Sequence, residues 1–378
     1  MINISGTPGS YASAHEPLWF VVDSTDKNTT GFQYIFDVYK DSQLLARIKN
    51  TPYGANKYGV INVSNIVRST LQDNPFQLLS VDDWTQNVYS GADYWFTDCR
   101  VEFGQISGNT TTYNDASANV RAFNSYNRAL IHSTDSLFDK INGNIRLLTN
   151  RPIENNFYEG EPIILSVAPR EATIQKRIKI NGSVTGTNII EGVDVFSYAS
   201  INNQTQDFTF EVYDLDSSGV IGSLNFKKKC VKYKPWTLVF LNAFGCWDSF
   251  TFVHGSLSLD NEKKKFERNA WGINNGIMSD QVPLIESSVT VYNEGFKTYA
   301  SNIKTKMKLT SDLLDTEEYK WLSELIVSPS VYLYDKDNGS FYPVQITNSN
   351  YEFKDSLINK TEVLELNLDV YDNNTQYR

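Results

Sequence analysis

The stretch Lys234-Pro235-Trp236-Thr237-Leu238-Val239-Phe240-Leu241-Asn242-Ala243-Phe244-Gly245-Cys246-Trp247-Asp248-Ser249-Phe250-Thr251-Phe252 reads as strand, sharp turn, strand. Aromatic and β-branched residues fill both arms, as pleated surfaces favour, and Asn242 to Gly245 break the run. Farther on, Glu318 to Val327 has helical spacing, Pro329 stops it, and Val331-Tyr332-Leu333-Tyr334 resumes an extended pattern. Asp315 or Thr316 is predicted to cap a helix over 317–327, with Glu317 and Glu318 in its first turn, where the helix dipole favours acid. Trp321, Leu322, Leu325 and Ile326 form its apolar face. Phe341 to Thr347 and a final run near Val363 to Val370 complete the set. These pieces predict a C-terminal α+β unit, residues 234–378, with one amphipathic helix. None of them supplies a reacting group, and Trp247 and Trp321 are read as buried structural residues.

Upstream the pattern is mainly β, as tandem β-sandwich-like domains. Residues 1–150 carry strand runs at Leu18 to Val22, Phe32 to Tyr39, Leu44 to Ile48, Tyr58 to Val63 and Tyr94 to Phe103. Lys40 to Gln43 is a predicted hairpin turn, and Ser64 a predicted cap for a short helix over 65–71. A boundary is placed near Asn150-Arg151-Pro152, and residues 151–233 form a second β domain. Its strands include Ile163 to Val167, Ile174 to Ile180, Thr187 to Ile190 and Asp207 to Tyr213, and Ser287 to Tyr292 and Ile303 to Leu309 are strands of the third unit. Three polar segments are read as contact elements: a flexible arm over 1–14, a long loop over 104–120 and the tail 371–378. The first two look too poor in apolar area to offset their ordering entropy, so their order is expected to come from another chain.

The chain has 378 residues, 40% hydrophobic, 21% charged and 13% aromatic, which excludes a disordered protein. A formal net charge of -10 opposes general nucleic-acid binding. Neither a secretory leader nor an apolar run of membrane-spanning length is present in the sequence, so synthesis in a cytoplasm and no membrane partner are expected. Cys99, Cys230 and Cys246 are odd in number and far apart, as buried reduced thiols would be.

Tests for chemistry return no catalytic, cofactor-binding or metal-binding residue. His15, His132 and His254 have no metal spacing, and nucleophile elbows, Walker loops and dinucleotide fingerprints are absent. Asp214 to Ile221 resembles the opening of a calcium loop, but Asn225 stands where the bidentate acid belongs, so it reads as a hairpin turn. Asp335 to Gly339 carries the same hairpin signal. The basic groups are Lys227 to Lys229, Lys263 to Lys265, and the alternating Lys304, Lys306 and Lys308, which share one strand face. Such a face is a solvated, aggregation-resistant edge or a surface for an acidic partner.

The segment Phe244-Gly245-Cys246-Trp247-Asp248-Ser249-Phe250-Thr251-Phe252 resembles a Gly-x-Trp-Asp-x-Phe-x-Phe pattern in virion proteins of tailed phages infecting Bacteroidetes, including crAss-like phages. Glu16 to Phe20, Phe32 to Val38, Trp321 to Ser328 with its following strand, and Pro343-Val344 resemble the same group. The resemblance implies a non-enzymatic virion structural protein, a tail hub, ring or connector subunit. Its partners would be copies of itself and other tail or portal-proximal proteins. A glycan-binding fibre or surface module is the first alternative, with Trp84, Tyr89, Tyr94 and Trp271 as stacking residues. The second is a carboxylate-based glycan hydrolase.

Overall fold

Alternation along Trp19–Ser24 turns Phe20 and Val22 inward and leaves Trp19 exposed. That strand lies between Ile2–Gly6 and Gly59–Asn62 in a three-stranded sheet. A five-stranded sheet faces it, ordered Tyr11–Ser13, Thr110–Phe123, Phe96–Ser107, Gln33–Lys40, Gln43–Asn50. Phe20, Val22 and Ile61 meet Phe36, Val101 and Phe103 between the two sheets, which makes this unit a β-sandwich. The computed structural model describes residues 1–9, 11–71, 85–90, 95–126, 145–169, 176–181, 183–189, 195–201, 205–214, 220–268, 272–279, 282–286, 295–347, 362–370 and 376–377. The predicted strand Ser287 to Tyr292 lies outside these residues.

A second sandwich packs a four-stranded sheet on a five-stranded one. Ile163 and Leu165 on the first meet Phe157, Phe208, Phe210 and Phe226 on the second. Phe208 and Phe226 stack with centroids 4.6 Å apart. The four-stranded sheet takes Thr85–Ser90 and Ile145–Leu147 beside Ile163–Pro169 and Val195–Ile201, so a division at 150/151 does not follow its edge.

The third unit is a large antiparallel sheet ordered Trp247–Phe252, Trp236–Leu241, Val331–Asp335, Ser340–Ile346, Glu365–Val370, Gly295–Thr310, His254–Arg268. Both faces of Trp236–Leu241 are covered, which is why its residues read as an unbroken apolar run. Leu238 and Phe240 face the helix α2, Thr316–Val327, through Trp321, Leu322 and Leu325. Val239 and Leu241 face the other way, onto Trp95, Phe123, Leu148 and Ile164 from the two sandwiches. Asp315 caps α2: its carboxylate accepts from the Glu318 N–H at 2.8 Å, and Glu318 reaches back to the Asp315 N–H at 3.1 Å. The predicted hairpin turns at Lys40 to Gln43 and Asp335 to Gly339 stand, with Asp41 at φ 53 and Gly339 at φ 59, while turn residues 215–219 of the one read over Asp214 to Ile221 lie outside the described residues.

Three expectations are corrected. The arm 1–14 is ordered by its own chain: Ile2–Gly6 pairs with Trp19–Ser24, Tyr11–Ser13 runs parallel to Arg121–Phe123, and Ile2, Ala12 and Ala14 are buried. Residues 104–120 form a β-hairpin rather than a loop, with Gly108 at φ 60 in its turn. Its polar end needs no core, because its ladder continues from the buried pairs at Val101 and Phe103. Within the tail 371–378, Gln376–Tyr377 pairs with Ala300 and Ser301 of the same chain. Among the described residues a second helix, α1, spans Ser64–Arg68 and takes no side-chain cap from Ser64; Asn62 instead accepts from the Ser64 N–H at 3.0 Å.

Trp247 and Trp321 are 6% and 4% exposed, so truncating either to Ala is expected to cost about 3–5 kcal/mol. Asp315→Ala, which removes only the cap, is expected to cost about 1 kcal/mol. Urea unfolding of the three variants checks both; an Asp315→Ala loss as large as that of Trp321→Ala would refute the separation of packing from capping.

Candidate functional site

The turn between Trp236–Leu241 and Trp247–Phe252 is built on Asn242. Its N–H donates to the Cys246 carbonyl at 2.7 Å, and the Gly245 N–H donates to its carbonyl at 3.0 Å. Its side-chain oxygen accepts from the N–H groups of Phe244 and Cys246 at 3.0 and 3.1 Å. Its side-chain nitrogen donates to the Leu148 carbonyl at 2.8 Å. Gly245 has φ 78, and a Cβ there would overlap the Asn124 carbonyl. Three separate parts of the chain grip this turn. Trp95 Nε1 donates to the Phe244 carbonyl at 3.0 Å, Ser125 Oγ donates to the Ala243 carbonyl at 2.8 Å, and Glu324 Oε2 accepts from the Ala243 N–H at 2.9 Å.

Beside the turn, charge is buried. Asp248 is fully buried, and its Oδ2 accepts from Thr149 Oγ1 at 2.7 Å and Trp321 Nε1 at 3.0 Å, while Oδ1 has no partner. Arg151 is buried too: Nη2 donates to the Ser249 carbonyl, and the guanidinium carbon lies 4.5 Å from the Trp321 ring centroid. Burial holds the Arg151 pKa below its ordinary value, and the charges of Asp248, Glu161 and Glu318 oppose that shift. Burial pushes Asp248 above the usual carboxylate range, against the pull of Arg151. Glu161 is raised to about 7 by burial, opposed by Arg151, and Glu324 to about 7 by burial, opposed by its bonds to Ala243 and Asn150. Asn150 Nδ2 reaches Glu324 Oε1 at 2.5 Å, and Tyr126 OH donates to the Glu324 carbonyl at 3.1 Å. Apart from Asp248 Oδ1 and Arg151 Nε, this arrangement pairs its buried polar groups across several chain segments, and its chemistry is that of a lock between units.

The surface differs. Lys227, Lys228 and Lys229 are each neutralised, by Glu154 at 3.0 Å, Glu159 at 2.7 Å and Asp312 at 2.8 Å. Lys306 pairs with Asp260 at 2.6 Å and Lys308 with Glu365 at 2.8 Å. Among the described residues, Lys263, Lys264, Lys265 and Lys304 have no carboxylate at ion-pair distance, and the first three are exposed on the strand His254–Arg268. An open depression of about 500 Å³ beside Leu259, Glu262, Lys304 and Asp369 lies along this ribbon. Among the described residues no His, Cys, Asp and Glu cluster could hold a metal ion, and no helix is long and apolar enough to cross a membrane.

Cys99 and Cys246 are buried, as predicted, but Cys230 is exposed just beyond the strand Val220–Lys229. His15 bonds Asn124 at 2.7 Å, His254 lies 6.0 Å from the Tyr233 ring, and His132 lies outside the described residues. Trp84, Tyr94 and Trp271 also lie outside them, and Tyr89 is described only by its backbone pairing with Phe196. Sequence reading missed the buried charges. One signal was present: Glu318, Trp321, Leu322 and Leu325 share the spacing of a single helical face, which places Glu318 in the apolar stripe. Arg151 had no comparable signal, since a charge before Pro152 is ordinary in a linker.

No protein-family model matches the chain, and no curated protein matches it either. Solved structures give slight likenesses. A bacterial integrin-binding protein, invasin, shares 10% identity at TM-score 0.22, over 82% of this chain and 56% of that one, so the chain spans little more than half of its length. The central fibronectin-III array of RIM-binding protein shares 10% at TM-score 0.16, over 63% and 84%. The I9–I11 tandem of titin shares 8% at TM-score 0.17, over 82% and 94%. Likenesses this slight carry no functional argument.

Gly245→Ala forces a left-handed φ on a residue with a Cβ and drives it into the Asn124 carbonyl, so a loss of at least about 1–2 kcal/mol is expected. A melting temperature equal to the parent's would refute that crowding. Glu161 carries a pH signature. Below about 4.5 it is protonated in both folded and unfolded chains, so it contributes nothing. Between 4.5 and about 7 only the folded chain keeps the proton, so rising pH removes stability; above about 7 the penalty is complete and constant. The urea midpoint of the parent should therefore fall relative to that of Glu161→Gln across this window. Parallel midpoints at every pH would show that the folded carboxyl titrates normally.

Proposed function

We propose that this chain is a non-enzymatic structural subunit of a tailed-phage virion, made in the host cytoplasm and built into the tail or its head-proximal connector. It acts by self-association and by binding neighbouring virion proteins. One observation carries this reading. The ribbon formed by His254–Arg268 and Gly295–Thr310 exposes Leu257, Leu259, Phe266, Phe296 and Tyr299 along its length. Apolar side chains distributed in this way favour burial against protein. The lock around Asn242 and Asp248 supports it, because units held by a shared core can transmit position from one contact to the next. The resemblance of Phe244 to Phe252 to phage virion proteins supports the setting.

Antibody labelling of purified particles, with sedimentation of the isolated protein at increasing concentration, tests the proposal. Label on the tail or connector and concentration-dependent oligomers are expected. Polysaccharide turnover abolished by a single Asp or Glu substitution, or specific glycan-array binding without label on particles, would replace this reading with one of its rivals.

A further inference from the structure

The ribbon strands stay in antiparallel register from His254 opposite Thr310 to Arg268 opposite Gly295, with one irregularity at Lys264/Lys265. Glu365–Val370 supports the second strand only along Thr305–Thr310, and Gln376–Tyr377 adds two pairs at Ala300 and Ser301. Among the described residues the first strand ends the sheet, and no described strand pairs with the outer backbone edge of its 15 residues. At a rise of about 3.4 Å per residue that edge is roughly 50 Å long. Two strands alone are marginal in water, and a long open edge with leucines beside it invites a partner.

Side-chain content points to the kind of partner. Leu257 is 58% exposed, Leu259 69% and Phe296 74%. Against phosphates these would stay in water; against protein they would be buried. Charge narrows the choice. Seven lysines, Lys263 to Lys265, Lys297, Lys304, Lys306 and Lys308, together with Arg268, stand against Asp260, Glu262 and Glu267 in the ribbon's sequence, although the whole chain carries -10. The rest of the molecule is therefore more acidic than the net figure, and another copy of it is the complementary surface.

That surface has a local candidate. Leu313 is 57% and Val363 46% exposed, and they flank the Leu314–Glu362 bridge, one on each chain segment. Asp312, Asp315, Glu317 and Glu362 lie within four positions of them in the sequence; Lys229 offsets the first and Lys320 the third. This shelf begins three residues after the ribbon's second strand ends at Thr310. Two strands paired with each other over this length do not double back onto the shelf at their own root. We propose that the ribbon of one copy lies on the Leu313–Val363 shelf of the next copy, in a head-to-tail contact. Such a contact joins two different surfaces, and it closes into a ring or extends as a filament according to the rotation between copies. The inference rests on the reading of the chain as an assembly subunit and names its partner.

The test uses full-length protein. Lys263→Glu/Lys264→Glu/Lys265→Glu should weaken self-association by at least about tenfold, read by sedimentation, with an unchanged melting curve. Adding Glu317→Lys and Glu362→Lys to that same chain should restore association, because each reversed ribbon then meets a reversed shelf. In a Cys230→Ser background, a Leu259→Cys chain mixed with a Leu313→Cys chain should form an inter-chain disulfide on mild oxidation, and neither chain alone should. Oligomers unaffected by the ribbon reversal, with no cross-link, would overturn the docking and leave the assembly reading standing. A parent that stays monomeric at high concentration yet is labelled on particles would do the same. Duplex DNA retained by the parent and lost by the reversal, without self-association, would make the ribbon a nucleic-acid element. A parent neither self-associating nor found on particles would remove both readings.

Discussion

Asp248 has to be solvated by the protein itself, and most of the architecture between the units follows from that. A carboxylate sealed from water needs donors, and here they come from Thr149, just after the strand Ile145–Leu147 of the second sandwich, and Trp321, on the helix. Arg151 adds a cation to the same compartment and rests on the Trp321 ring. Helix, turn and linker cannot shift independently without stranding a charge. Breaking such a set is far more damaging than its net contribution to stability would indicate, since the orphaned partner keeps its desolvation penalty. The set therefore determines where the units sit more than it determines how stable they are.

Apolar packing cooperates with this constraint. The sheet strand Trp236–Leu241 sends alternate side chains to α2 and to the cluster of Trp95, Phe123 and Ile164. One strand thus takes part in two cores, and the turn that follows it binds both. Glycine at 245 is the steric condition for that closeness, because the Asn124 backbone occupies the space of a side chain.

Much of this was legible in the residues. The Asp315 cap, the helix face of Trp321 and Leu325, the hairpins at Asp41 and Gly339 and the alternation of Lys304, Lys306 and Lys308 are local patterns, and local patterns survive tertiary context. In segments 1–14 and 104–120 polarity does not mean looseness. Backbone pairing orders a strand whatever its outward side chains, and a strand such as Ile2–Gly6 needs only one buried residue, Ile2, to fix its register. The buried charges were illegible for a different reason. Arg151, Asp248 and Glu324 are ordinary residues until the chain brings segments 98 and 174 positions apart into one compartment, and no window of sequence contains that information.

The reach of those bonds has a consequence for biosynthesis. Tyr126 and Glu324 are separated by 198 positions, and Asn150 and Glu324 by 174. At about 5–20 residues per second, a ribosome needs roughly ten to forty seconds to supply the second partner after the first has emerged. During that interval the Asn150 amide has water in place of Glu324, and the Arg151 guanidinium lacks the cover of the Trp321 ring. Emergence of the helix then removes the water. The same residues are thus wet until the helix is made and closed over by it afterwards, an order set by the direction of translation.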